Sequence, residues 1–311
     1  MNALFTTTVS ALHPGANLVT FPHERHALAG QLTLPADWHA GQRPPAIIVM
    51  GSWTTVKEQM AANYAPMLAA AGFAALSFDF SGYGESGGEP REVESAQRKI
   101  GDIGAALDYL AALNAIDGER IGVLAICASA GYLAMAADEL AIRSIAMVAP
   151  WLHDRELVEA IYGGREAVAA KIAQGEAARV SFEQTGTVDY IPAASNSDPG
   201  AAMYAPGDAL DYYLNPRRGR IPQWGGRFAV MAWSEWLQLD TIAAAARVRA
   251  PTRIITGPDT ATPGGAARFA AALPAPHDTV SLPGTQFDFY DNPATVAAAA
   301  AAAVEHFRRT L

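Results

Sequence analysis

Short, bulky apolar runs recur along this chain at a spacing that few folds can accommodate. Residues 46–50 form one and end at Gly51. "FAALSFDF" covers 73–80, "ERIGVLAIC" covers 119–127 and "IRSIAMVAP" covers 142–150. Each run is bounded by Pro, Gly or polar residues and lacks polar alternation, the pattern of a strand buried on both faces. Between them lie helical stretches: 57–71, closed by Gly72; 94–113, with Ile100, Ile103, Leu107 and Leu110 on one face; and 128–140. Two more runs, 251–257 and 278–284, flank the helical "GGAARFAAAL", and 293–311 reads as a terminal helix. Strands alternating with helices in this way predict an α/β fold, a mostly parallel central sheet with helices on both faces. Two earlier runs, about 16–22 and 26–34, joined by the polar "HER", predict a hairpin.

The rhythm breaks between Pro150 and Pro251. That gap is too long for a connection. It holds helical pieces over 154–180, then a Pro-, Gly- and Tyr-rich stretch, then Trp224, Phe228, Trp233 and Trp236. The expected organisation is a core of residues 1–150 and 246–311, with 151–245 inserted as a helical and irregular lid. The insertion is either a surface elaboration packed by its own aromatics or a cover over an apolar pocket. In the second reading Trp151, Tyr204, Trp233, Trp236 and Phe287 contact the substrate.

A formal charge of −9 argues against a nucleic-acid or anionic-membrane partner, and the single cysteine excludes an internal disulfide or a Cys-rich metal cluster. The start, "MNALFTTTVSALHPG", has no basic residues followed by a long apolar run, and no apolar run reaches bilayer length. These features predict a cytoplasmic protein with a small-molecule substrate and neither metal nor cofactor. A homodimer is compatible with the sequence, which does not fix the oligomeric state.

The stretch "VLAICASAG" holds two candidate nucleophiles where a strand runs into a helix. A nucleophile at such a turn needs small residues two before and two after it. Cys127 has Ala125 and Ser129 there; Ser129 has Cys127 and Gly131. Spacing leaves both open. Register favours Cys127, because Ile126 is the last bulky strand residue and Ser129 falls one helical step inside, where it would help cap the helix. A thiol at that helix start would feel the dipole that favours thiolate. The bland alternative is an inert buried thiol.

The run "RIGVLAICASAGY" resembles the nucleophile elbow of α/β-hydrolases of the dienelactone-hydrolase-like group, in which cysteine can replace serine. "IIVMGSWTTVKEQMAANYAPMLAAAGFAALSFDFSGYGESGGEPR" is similar to that family's third strand, oxyanion loop, first helix and fourth strand. "PTRIITGPDTATPGGAARFAAAL" and "LPGTQFDFYDNPATVAAAAAAAVEHF" resemble its acid-bearing strand and its final strand, histidine loop and closing helix. The resemblance spans nearly everything outside the lid and implies the α/β-hydrolase fold. It also implies an oxyanion hole from the backbone of Ala128 and of Ser52 or Trp53, although Met50 stands where the family usually has histidine before Gly51. The family acid would fall near Asp259. Its catalytic histidine would fall at Gln286, and glutamine cannot take and return a proton near neutral pH. "GYGESG" (82–87) formally matches a dinucleotide-binding pattern, but it opens no helix and reads as the Gly-rich turn after the fourth strand.

Among the seven histidines, His153 alone follows the C-terminal end of a strand next to the nucleophile strand, where open α/β sheets gather their active sites. It is either the substitute base or a lid-hinge residue. Asp154 would start the lid helix as its N-cap, and Lys57 and Glu58 would be solvated charges at a helix start. The leading expectation is an enzyme that attacks an ester, lactone or thioester carbonyl of an apolar substrate with Cys127, with His153 or a water held by Gln286 moving protons. Without the usual base, non-hydrolytic chemistry such as cyclisation, isomerisation, C–C bond change or acyl transfer is the alternative. A non-catalytic ligand-binding protein is the third.

Overall fold

The structure is a computed structural model that describes residues 11–311. Most of the N-terminal stretch read for a leader thus lies outside the described residues. The hairpin forms as expected, from β1 (Gly15–His23) and β2 (His26–Leu34). Then follow β3 (Ala46–Met50), α1 (Met60–Ala70), β4 (Ala74–Phe78), α2 (Ala96–Ala112), β5 (Ile121–Ile126), α3 (Ser129–Ala136) and β6 (Ser144–Val148). Every residue of β3, β4, β5 and β6 is buried, which is why these runs carry no polar alternation.

Residues 151–245 then leave the sheet. They contain α4 (Arg155–Ile161), α5 (Arg165–Thr185), the short strands β7 (Tyr190–Pro192), β8 (Ala194–Ser195) and β9 (Met203–Tyr204), α6 (Asp211–Leu214), β10 (Arg227–Ala229) and α7 (Trp233–Trp236). Asp154 caps α4 as its sequence position implied, accepting from the Leu157 amide at 3.1 Å. The chain rejoins the sheet through β11 (Thr252–Thr256), α8 (Pro263–Ala272) and β12 (His277–Ser281), and ends in α9 (Asp288–Asp291) and α10 (Pro293–Thr310).

The sheet order is β1-β2-β4-β3-β5-β6-β11-β12. β2 pairs antiparallel with both β1 and β4; every pairing from β4 to β12 is parallel. From β3 the chain steps outward to β4, then crosses back to β5 on the other side of β3. The connections leaving β3 and β5 therefore diverge, and such a switch point opens a crevice at the strand ends. Register pairs Met50 with Ala125, so the loop after β3 and the turn after β5 emerge side by side. α1 packs with α10 and α2 with α3, closing the two faces of the sheet.

Two local expectations are corrected. α1 begins at Met60, not near residue 57, and Lys57 is buried rather than solvated. Its ammonium sits between Asp79 at 2.8 Å, Glu58 at 2.7 Å and Glu85 at 2.6 Å. Burial alone would discharge Lys57; those carboxylates instead raise its pKa. The Gly-rich loop also turns around Asp79. Gly84 has φ 47°, and a Cβ there would lie 2.3 Å from the Asp79 carboxylate. Gly84 is thus used in wrapping a carboxylate.

Ile48 lies at the middle of β3, fully buried between β4 and β5. Ile48→Ala is expected to cost about 2–5 kcal/mol, from lost burial and the cavity left behind. Urea unfolding followed by tryptophan fluorescence measures it; a loss under 1 kcal/mol would mean the sheet centre is not close-packed here.

Candidate active site

Cys127 stands at the turn between β5 and α3 with φ 59°, a left-handed conformation that non-glycine residues adopt only under constraint. The constraint is visible in its backbone. The Cys127 N–H donates to the Val148 carbonyl at 3.0 Å, and its carbonyl accepts from Trp151 at 3.0 Å and Ala130 at 3.1 Å. The end of β6 thus holds the turn in place. Ser129 does not cap α3. Its hydroxyl donates to the Ile126 carbonyl at 3.0 Å and that of Met50 at 3.3 Å, tying the first turn of the helix back to β5 and β3.

The amides of Ala128 and Trp53 and the hydroxyls of Ser52 and Tyr290 all lie where they stabilise a Cys127 thiolate, yet burial outweighs them and raises the thiol pKa. The expectation that the helix start would favour thiolate is therefore corrected. Desolvation dominates, and the resting group is a neutral thiol. Of the two loop residues considered, Trp53 turns its amide to the Cys127 sulfur, whereas the Ser52 N–H donates to Met60 Sδ at 3.4 Å. Ser52 contributes its hydroxyl instead.

A buried carboxylate fixes the loop after β3. Thr54, also left-handed at φ 61°, donates its N–H to Glu94 Oε2 at 2.9 Å, and its carbonyl accepts from Trp224 Nε1 at 2.8 Å. The same Oε2 accepts from the Tyr83 hydroxyl, also at 2.9 Å. Glu94 Oε1 accepts from the Tyr132 hydroxyl at 2.6 Å and from the Lys99 ammonium. Tyr132 belongs to α3, so one carboxylate links the loop carrying Trp53 to the helix that follows Cys127. Lys99 supplies the countercharge, buried against the rings of Phe80, Tyr83 and Tyr132.

Gln286 is at the site, and its amide orientation is set by two backbone partners. Oε1 accepts from the Ala261 N–H at 3.0 Å, and Nε2 donates to the Ala149 carbonyl at 2.9 Å. The second Nε2 hydrogen goes to the Tyr290 hydroxyl oxygen at 3.1 Å. Tyr290 is thereby an acceptor from Gln286, and its own proton is free for Ser52 Oγ at 3.1 Å or for the sulfur. Tyr213 donates to Ser52 Oγ at 3.3 Å. The result is a thiol surrounded by hydroxyls, with an amide where a base was expected.

The other candidates divide. A cavity of about 510 Å³ is lined by Ser52, Trp53, Cys127, Ala128, Gln286 and a mostly apolar wall rich in aromatic rings. Trp151, Tyr204, Trp236 and Phe287 line it; Trp233 does not, but packs behind it, 6.0 Å from Trp53 and 4.6 Å from Phe228 between ring centroids. Asp259 is exposed on the loop after β11 and does not line the cavity. His153 is buried and does not line it either. Its Nδ1 accepts from Trp151 Nε1 at 2.8 Å and its ring packs 4.8 Å from that of Trp236, so two cavity-lining indoles stand against it. Burial lowers its pKa to about 4. A histidine this hard to protonate, bonded to a donor-only indole, acts as a support for Trp151. Tyr290 and Tyr213 were not foreseen. Tyr290 had a signal: it lies one helical turn after Gln286.

The inserted segment 151–245 is bonded to the core beside this arrangement. Gln59 Nε2 donates to the Gly219 carbonyl at 2.7 Å, Arg218 pairs with Asp291 at 2.6 Å, and Tyr212 stacks on Phe287 at 5.9 Å. No helix among the described residues is long and apolar enough to cross a membrane.

No model of a known protein family matches the chain. Among solved structures, the α/β hydrolase GrgF from Penicillium sp. sh18 superposes with a TM-score of 0.78 over 95% of this chain and 98% of its own, at 18% identity. The fold is the α/β-hydrolase fold. The crystal structure of hypothetical protein PA2218 from Pseudomonas aeruginosa gives 0.81 at 25% identity, over 100% of this chain and 98% of that one. DcsB, solved in complex with its substrate analogue, gives 0.80 at 16% identity, over 95% and 99%. By sequence, the uncharacterised Escherichia coli (strain K12) protein YcjY is 29% identical over 78% of this chain and 81% of its own length. PA2218 is 36% identical over 61% of this chain and 52% of its own length. Shorter stretches match the acyltransferase drtE of Aspergillus calidoustus, 29% identical over 44% of this chain and 45% of that protein, and the polyketide transferase claH of Penicillium crustosum, 29% identical over 33% and 34%.

Two outcomes check this account. Glu94→Gln leaves Lys99 buried without its countercharge and is expected to cost about 3–5 kcal/mol, with Glu94→Gln/Lys99→Met recovering part of it; chemical denaturation reads both. His153 gives a pH dependence. The unfolded chain protonates it near pH 6.5, whereas the folded one resists until about pH 4. Its contribution is complete above pH 6.5 and declines as the pH falls toward 4, by about 3 kcal/mol in all. His153→Gln is expected to flatten this part of the stability–pH curve; an unchanged slope would refute the assignment.

Proposed function

We propose that this protein is an α/β-hydrolase-fold enzyme that takes an acyl group onto Cys127, in the manner of the cysteine elbows of dienelactone-hydrolase-like proteins, and passes it to an acceptor other than water. One observation carries the reading. The Ala128 and Trp53 amides converge with two hydroxyls on a neutral thiol, in an apolar cavity with no imidazole or carboxylate among its described lining residues. Converging amides stabilise the oxyanion of an acyl transfer, worth roughly 3–4 kcal/mol per donor. They are of no use to an inert thiol.

Cys127 Sγ attacks the carbonyl carbon of an ester, lactone or thioester. As that C–S bond forms, the thiol proton passes through the Ser52 and Tyr290 hydroxyls to the departing alkoxide or thiolate, and the bond to the leaving group breaks. Gln286 keeps the Tyr290 proton aimed inward. In the second half the acceptor's nucleophile attacks the Cys127 thioester, its proton returns along the same hydroxyls, and the free thiol is restored. Water is a poor acceptor here, because activating it takes a base and His153 is held away by Trp151. A stronger nucleophile, such as a thiol, an amine or an enol, needs less help. The names of drtE and claH as transferases support the same choice.

Incubation with N-acetylcysteamine thioesters, followed by intact-protein mass, is expected to show one acyl adduct that maps to Cys127 and is discharged faster by added amine or thiol acceptors than by water. Cys127→Ala should abolish the adduct and lower turnover by roughly a thousandfold or more. Turnover that survives Cys127→Ala would sink the covalent route; adduct loss to water as fast as to acceptors would return the enzyme to hydrolysis.

A further inference from the structure

The acyl cavity holds a single charged side chain, Lys171 of α5. The other cations of that helix are occupied: Arg165 pairs with Glu159 at 3.5 Å and Arg179 with Glu183 at 2.9 Å. No carboxylate among the described residues pairs with Lys171. Its ammonium lies 4.8 Å from the ring centroid of Trp233, an indole with no solvent exposure, so the side chain runs inward along the aromatic cluster of the lid. A lysine with no partner on an outer helix face would extend into water; this one is half-buried and contributes to the wall of a cavity. A second unpaired donor belongs to the same cluster. Trp53 also lines the cavity, its ring centroid is 6.0 Å from that of Trp233, and its Nε1–H is buried without a hydrogen-bond partner.

We infer that Lys171 is the binding site for an anionic oxygen group, a carboxylate or a phosphate, on the substrate that the cavity presents to Cys127. This rests on the acyl-transfer reading and names the class of substrate. The protein carries a formal charge of −9, so its long-range field repels anions, and an anionic substrate needs a local cation to be held. Inside a mostly apolar cavity, such a contact is stronger than its counterpart at the surface, because little water competes for either group. The indole face beneath the ammonium keeps the charge in place when no ligand is bound. The anion has two possible sources: a carboxylate on the acyl chain, or a phosphate on the carrier that delivers it.

Binding is read first, by tryptophan fluorescence with monomethyl sebacate and its uncharged counterpart dimethyl sebacate. Wild-type protein is expected to prefer the charged ester, Lys171→Met to weaken it by about tenfold while leaving the diester unchanged, and Lys171→Arg to retain it. Kinetics then separate the sources. Three donors are compared: an N-acetylcysteamine thioester with a terminal carboxylate, the same thioester ending in methyl, and a coenzyme A thioester of the methyl-ended acyl group. A raised KM with unchanged kcat for Lys171→Met on the first donor alone places the acyl carboxylate at Lys171. The same effect on the third alone places the carrier phosphate there. Equal losses on all three donors, or none on any of them together with no charge preference in binding, overturn the inference. If no donor is turned over but the charged ester still depends on Lys171, the anion site stands and the acyl-transfer reading falls.

Discussion

The site depends on a backbone conformation that its own residue does not favour. Cys127 has φ 59°, and a β-carbon in that region costs on the order of 1 kcal/mol or more. It is held there because its N–H and C=O are bonded to the end of β6 and the residues after it. The same turn projects the sulfur beyond the sheet and leaves the next amide, that of Ala128, pointing at it. Release of the turn would return Cys127 to a relaxed conformation, and the sulfur, the amide and the first turn of α3 would lose their relation. Strand β3 supplies the other half at fixed register, and the Glu94 carboxylate joins the two.

Much of this could be read from the residues. Strands buried on both faces leave continuous apolar runs, and those at 46–50, 119–127 and 142–150 became β3, β5 and β6 within a few residues. The turn after β5 was legible because small residues are needed on either side of it. Polar groups inside the molecule were not. Lys57 looked like an ordinary helix charge and Lys99 drew no notice, since nothing in a linear pattern says that Asp79 and Glu94 will be waiting for them. Asp259 and His153 lie on the loops after β11 and β6, but the loop does not fix the side chain. Asp259 extends into solvent, and His153 is captured by the indole two residues before it. The thiol was expected to be acidified by its helix; the depth of its burial, invisible in sequence, reverses the sign.

Gln286 shows what one substitution does to a proton pathway. At a position that resembles the family's histidine, the amide keeps a hydrogen-bond donor directed at the site while removing the capacity to be protonated. Its other two hydrogen bonds, to Ala261 and Ala149, fasten the loop after β12 to the ends of β6 and β11. The polar groups left around the thiol are hydroxyls, those of Ser52, Tyr213 and Tyr290, bonded to one another. Burial pushes both phenols further from ionisation.

The bond from Trp224 to the Thr54 carbonyl has a mechanical consequence. Trp224 belongs to the lid and Thr54 adjoins the residue whose amide faces the sulfur. Roof and reaction centre are therefore one body. Lifting the 212–224 segment far enough to widen the cavity also releases the loop that presents Trp53. While the cavity is open to solvent, the amide that faces the Cys127 sulfur is slack. Closure restores the roof and that amide together.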